Sequence, residues 1–202
     1  MKKTTSFLKL ISLMLILFLF NSCTKIKRVE FQGIKLGINN IEEVKNVIDE
    51  GIKENKYKNI DYYDLNDRTK AITGFVFINK DYPEVPFQML FFDNVIFKID
   101  LIVYPGLIEF MKHELDKKYG KGDEISYTDR GKKVIFSYWW HKQDNLPSIV
   151  MLLGTGIYSL SSRSEYWLEL LDNKAEDYEG YYINYFDRKI EEEFLKYTNQ
   201  EE

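Results

Sequence analysis

The chain has 202 residues, with 28 Lys and Arg against 32 Asp and Glu. Lys2, Lys3 and Lys9 fall in an N-terminal leader that carries no acid, so the net charge of −4 becomes −7 once the leader is removed, and a domain this acidic with no basic stripe argues against nucleic acid as a partner. The single cysteine, Cys23, excludes disulfide frameworks, zinc-thiolate sites and cysteine nucleophiles from the folded part, while 45% hydrophobic residues with 15 Tyr, 14 Phe and 4 Pro argue for a packed core.

Lys2 and Lys3 make a positive start, and Phe7 to Phe20 is an apolar stretch interrupted by Lys9 and Ser12. Asn21-Ser22-Cys23 follows directly. The run from Leu13 to Phe20 is too short to span a bilayer, and the segment after Cys23 is polar. The stretch resembles a bacterial lipoprotein signal, in which the cysteine becomes the acylated first residue of the mature chain. Phe20 and Asn21 stand where a Leu and a small residue are usual, a looseness that resembles lipoproteins of the Bacteroidota. An ordinary secretory signal is the alternative; it would leave a lone reactive thiol at a flexible start, which acylation explains. Thr24 is not the Asp that retains proteobacterial-type lipoproteins at the inner membrane, so the resemblance implies the outer membrane. The basic run Thr24 to Arg28, in place of an acidic one, favours the periplasmic face over the cell surface. The expected organisation is a signal peptide over 1–22, a lipid-anchored linker over 23–28 and a single α+β domain over 29–202.

Along that domain, Val29 to Ile34 reads as a short strand with turn residues at Gly33 and Gly37. Asn39 or Asn40 can cap a helix starting near Ile41, whose apolar face is Ile41, Val44, Val47 and Ile48. Gly51 marks its end or a weak point just before it. Asn55 to Arg68 is a polar, tyrosine-rich loop or frayed edge strand. From Thr69 the period becomes two. Ile72, Gly74 and Val76, then Val85, Phe87, Met89 and Phe91, then Val95, Phe97, Ile99, Leu101 and Val103 define three strands, the last facing away from Lys98 and Asp100. Lys98 and Asp100 share one side and mark a solvated or ion-paired face.

Pro105 fits the first turn of a helix ending at Gly120, with Leu107, Phe110, Met111, Leu115 and Tyr119 as its stripe. Strand signals resume at Glu124 to Thr128, Lys133 to Lys142 and Ser148 to Leu153, and Ile157 to Leu160 can extend the last of these past Gly154-Thr155-Gly156. Tyr166 to Leu171 fits helix or strand, Tyr181 to Phe186 fits a strand, and Arg188 to Tyr197 a closing helix with Ile190, Phe194 and Tyr197 inward. The expected fold is α+β, an antiparallel sheet with one face under two or three helices. The recurrence of Gly-rich turn, helix and strands suggests two helix-then-meander halves.

Phe31-x-Gly33-Ile34-x-Leu36-Gly37, Leu115-x-x-Lys118-Tyr119-Gly120 and Tyr182-Ile183-x-Tyr185-x-Asp187 resemble small secreted or outer-membrane lipoproteins of the Bacteroidota of unassigned function. By element order the domain also resembles beta-lactamase-inhibitor proteins and the small outer-membrane assembly lipoproteins. These resemblances imply a fold and a location and carry no catalytic residue.

The chemical motifs fail in instructive ways. His113-Glu114 lacks the second His of a zinc-protease helix, Lys117 standing three beyond Glu114. Asp61, Asp64 and Asp67 lack the glycine-centred alternation of a calcium loop, and Gly154-Thr155-Gly156 lacks the Lys of a phosphate loop. Neither a metal nor a cofactor is expected. The leading reading is a non-catalytic envelope module that binds a protein or glycan partner while held to the membrane through Cys23. The alternatives are a structural accessory in envelope assembly and a hydrolase using two carboxylates. Period two sets Val134, Phe136, Tyr138 and Trp140 against Ile135, Ser137, Trp139 and His141. The second row is broken by Ser137, so Trp139 and His141 form the expected binding surface and Trp139 is the expected exposed ring. The competing reading buries Trp139 under a helix.

Overall fold

The computed structural model describes residues 29–129, 132–140, 148–153 and 181–199. A small hairpin, β1 (Glu30–Phe31) and β2 (Ile34–Lys35), precedes α1 (Ile41–Lys53) and the strands β3 (Tyr57–Asp64), β4 (Thr69–Val76), β5 (Val85–Phe92) and β6 (Val95–Val103). Then come α2 (Pro105–Tyr119), β7 (Asp123–Asp129), β8 (Lys132–Trp140), β9 (Ser148–Leu152), β10 (Tyr181–Phe186) and α3 (Arg188–Thr198). Strands β3 to β10 form one eight-stranded antiparallel sheet in the order β3-β4-β5-β6-β10-β9-β8-β7. Each half is thus a helix followed by a four-stranded meander, and the halves meet where their last strands pair, Tyr181 opposite Val103 through Phe186 opposite Lys98. The α+β architecture and its two halves match the alternation read from the sequence.

Local chemistry explains the boundaries. Asn40 caps α1 by accepting from the Glu43 N–H at 2.9 Å, and the Glu43 carboxylate accepts in return from the Asn40 N–H at 3.1 Å. Gly51 lies inside the last turn rather than beyond it, and the Tyr57 ring fills the place a Cβ would need. Pro105 occupies the first turn of α2, and Gly120, at φ 89, ends it. Asp93 and Asn94, both at positive φ, make the two-residue turn between β5 and β6.

Helices α1 and α2 cover one face of the sheet. Ile41, Val44 and Ile48 from α1 and Leu107, Met111 and Leu115 from α2 join Phe87, Met89, Ile99, Leu101, Ile149 and Ile183 in one buried cluster. That burial supplies most of the apolar area removed from water.

Two expectations are corrected and one is narrowed. The stretch from Val29 to Ile34 is not one strand, because Gln32 and Gly33 both take positive φ and reverse the chain into a hairpin. Of the two or three helices expected on one face, two lie there; the third, α3, is on the opposite side, where its Phe194 packs with Phe92 and Phe97. Phe97 itself does not share a face with Ile99 and Leu101. The register steps from Lys98 opposite Leu90 to Ile96 opposite Phe91, leaving Phe97 as the extra residue of a bulge and turning it away from the main core. A similar shift falls between Ile125 and Ser126 opposite Ser137 and Ile135, so the alternation of β8 is not continuous over its whole length.

Candidate functional site

The face opposite α1 and α2 carries the polar chemistry. Register aligns Thr73, Gln88, Asp100, Asn184, Val150 and Trp139 in a row across six strands, all on one side of the sheet. The row crosses the seam between the halves at Asp100 and Asn184.

Asp100 is 3% exposed. The Lys98 ammonium lies 3.9 Å from its Oδ2 and 3.7 Å from Oε1 of Glu191, one helical turn into α3. Burial pushes the Asp100 carboxyl up to about 6, against the pull of Lys98 and with the help of Glu191. Thr73 Oγ1, Asp100 Oδ1 and Asn184 Oδ1 are buried with no hydrogen-bond partner among the described residues. This is the ion-paired alternative for the side shared by Lys98 and Asp100, in a nearly dry setting.

At the far end of the row stands an aromatic and cationic cluster. Trp139 is partly exposed, and its Nε1 donates to the Ser137 hydroxyl at 3.1 Å, which fixes the ring. The ring meets Phe186 edge-on with centroids 6.4 Å apart, and the Arg188 guanidinium lies 5.7 Å from the Trp139 ring and 5.9 Å from that of Phe186. Trp140 points the other way. It is 2% exposed, and its Nε1 donates to Asp116 Oδ1 at 3.0 Å. Asp116 also accepts from the Gly122 N–H and from Lys112; burial raises its carboxyl, but these bonds outweigh burial and leave it below the ordinary value.

Of the residues expected at the binding surface, Trp139 lies in this cluster, whereas His141 and the acylation site Cys23 fall outside the described residues, as do Gly154-Thr155-Gly156 and the stretch from Tyr166 to Leu171. His113 is exposed on α2. Sequence reading missed Phe186 and Arg188, which reach Trp139 only because β10 pairs with β9 and β9 with β8. It also missed Glu191, which is not among the inward positions Ile190, Phe194 and Tyr197 read for the closing helix. The shared side of Lys98 and Asp100 was the one available sign of a charged site.

A concavity of about 450 Å³ lies between the β1–β2 hairpin and α2, with Phe31, Phe110, Met111 and Leu115 on its walls. Its rim is tied by Lys118, 2.8 Å from Glu30, and by the Tyr119 hydroxyl, which bonds the Glu30 backbone. Among the described residues, no group of three or more potential metal ligands gathers, and no helix is long and apolar enough to cross a membrane.

Compared with known proteins, the chain matches no family model, no curated protein and no solved structure.

Proposed function

We propose that this chain is a lipid-anchored bacterial envelope protein whose domain is a non-catalytic binding module for a protein or glycan partner. Its anchor is the acylated Cys23 at the end of the leader, and its contact surface centres on Trp139, Phe186 and Arg188. The observation that carries the binding reading is the preset cluster: a partly exposed indole whose N–H is already used, with a guanidinium over two rings. Such a surface offers a ready face to a sugar ring or to an aromatic or acidic side chain, and little ordering is needed on contact. The hydrolase alternative would rest on Asp100 and Glu191, which share Lys98. The burial that raises Asp100 also keeps a substrate from it.

The test is crosslinking of the mature chain, extracted in detergent, to envelope material. Trp139→Ala and Arg188→Ala should each weaken capture by about tenfold or more, in the range of interface anchors, whereas Asp100→Asn and Glu191→Gln should leave it in place. Loss of turnover on some envelope glycan from either carboxylate variant would favour the hydrolase instead. Intact-mass analysis of the membrane fraction should show an acyl adduct on Cys23, and an unmodified thiol there would refute the anchor.

A further inference from the structure

At the seam between the halves two side-chain acceptors on the polar face stand unpartnered among the described residues. Asp100 and Asn184 are register partners on β6 and β10, so their side chains leave the same face with Cβ atoms about 5 Å apart. Asp100 Oδ1 and Asn184 Oδ1 are both buried without a hydrogen-bond partner among the described residues. Two neighbouring acceptors in that condition call for one hydrogen between them.

The other oxygen of Asp100 faces Lys98, whose ammonium stands between Asp100 and Glu191 at 3.9 and 3.7 Å. Both distances exceed those of a charge-assisted hydrogen bond. One cation is therefore divided between a strand carboxylate and a helix carboxylate. Gln88 on β5 and Asn184 on β10 flank Asp100 as neutral groups, and Lys98 on β6 and Glu191 on α3 are the charged groups that face it among the described residues.

We propose that Asp100 is a proton-operated latch on α3. When it takes a proton, the hydrogen bridges to Asn184, Lys98 turns to Glu191, and the helix is held down. When the proton leaves, Lys98 is divided again and α3 is held more loosely. The direction follows from what lifting the helix does: it removes Glu191 and lets water reach the carboxyl, and both favour the ionised form. The closed arrangement therefore binds the proton more tightly and gains as pH falls. Arg188, over Trp139 and Phe186, is the first residue of the same helix. The latch thus acts on the helix that completes the proposed contact surface, although its operation needs no partner.

Hydrogen exchange of the full mature protein between pH 5 and 8 tests this directly. The Phe194 and Leu195 amides of α3 are read against Val44 and Ile48 of α1, which cancels the pH dependence of exchange chemistry. Protection of α3 relative to α1 should fall as pH rises, by about tenfold for each unit by which opening lowers the Asp100 pKa. Asp100→Asn should flatten that profile, and Glu191→Gln should lower α3 protection at the acidic end. A carboxyl carbon-13 titration of Asp100 in the unmodified protein decides the matter even if the variants fail to fold. A midpoint near 6 supports the latch. A midpoint in the ordinary carboxylate range, meaning that Asn184 has turned its amide toward Asp100, overturns it. So does an α3 profile that tracks α1 at every pH or keeps its slope in Asp100→Asn.

Discussion

The two faces of the sheet are built on different terms. Under α1 and α2 the contacts are apolar and deeply buried, with Phe87, Met89, Ile99 and Leu101 all at 0% exposure. On the other face, among the described residues, one helix sets Phe194 on the two sheet rings Phe92 and Phe97, and the row beside it holds a buried acid, an amide and two hydroxyl- or amide-bearing neighbours. Apolar contacts carry no titrating group, whereas the worth of a buried charge depends on its protonation and partners. Stability is therefore concentrated on the first face and responsiveness on the second.

The largest effect that would test this division is truncation of Phe87, which should cost about 3–5 kcal/mol in a urea titration, as large core deletions do. The same truncation at Phe194 should cost less and release α3 alone; equal losses would erase the distinction between the faces. Next comes Asp100. Its folded-state pKa of about 6 lies above the ordinary aspartate value of 3.8. Its contribution to stability is thus fully present below about 4 and is lost as pH rises through about 6. Asp100→Asn should accordingly stabilise the protein at pH 7.5, by up to ~3 kcal/mol, with the gain shrinking on acidification. A smaller change is expected at the cap of α3, where the Asp187 carboxylate accepts from the Ile190 N–H at 3.2 Å. Asp187→Ala should cost about 1 kcal/mol and fray α3 without altering exchange in α1. Finally, Trp139→Phe should leave stability nearly unchanged. The emission it removes should be red-shifted and quenched by iodide, while emission from Trp140 stays blue; a shielded Trp139 would move the contact surface elsewhere.

What could be read from the sequence was whatever depends on neighbours a few residues apart. Asn40 with Glu43, Pro105, the Asp93-Asn94 turn and the alternation through Val85 to Phe91 each carry their own instruction, and each appears in the structure. The bulge at Phe97 was invisible because an alternating row of apolar residues looks the same whether or not one residue is skipped in pairing. Both Phe97 and Ile99 are hydrophobic, and each finds a dry place, on opposite sides. The side taken by α3 follows from that bulge, since Phe97 supplies part of the surface that Phe194 covers. The candidate site was half legible. Trp139 and Trp140 were assigned to opposite faces from their adjacency alone, but Arg188 and Glu191 come to the row through strand pairings that bridge distant parts of the chain.

The seam between β6 and β10 also dictates an order of assembly. β6 closes at Val103, but its partner does not begin until Tyr181. A chain emerging from its N-terminus can complete α1 and the meander β3 to β6 while one whole edge of β6 still has no neighbour. Contacts this far apart in sequence form slowly, and an unfilled, hydrophobic strand edge is a template for pairing with other molecules. The last 22 residues are therefore guardians of solubility as well as parts of the sheet. A chain that stops short of them should form its first half and then aggregate through β6.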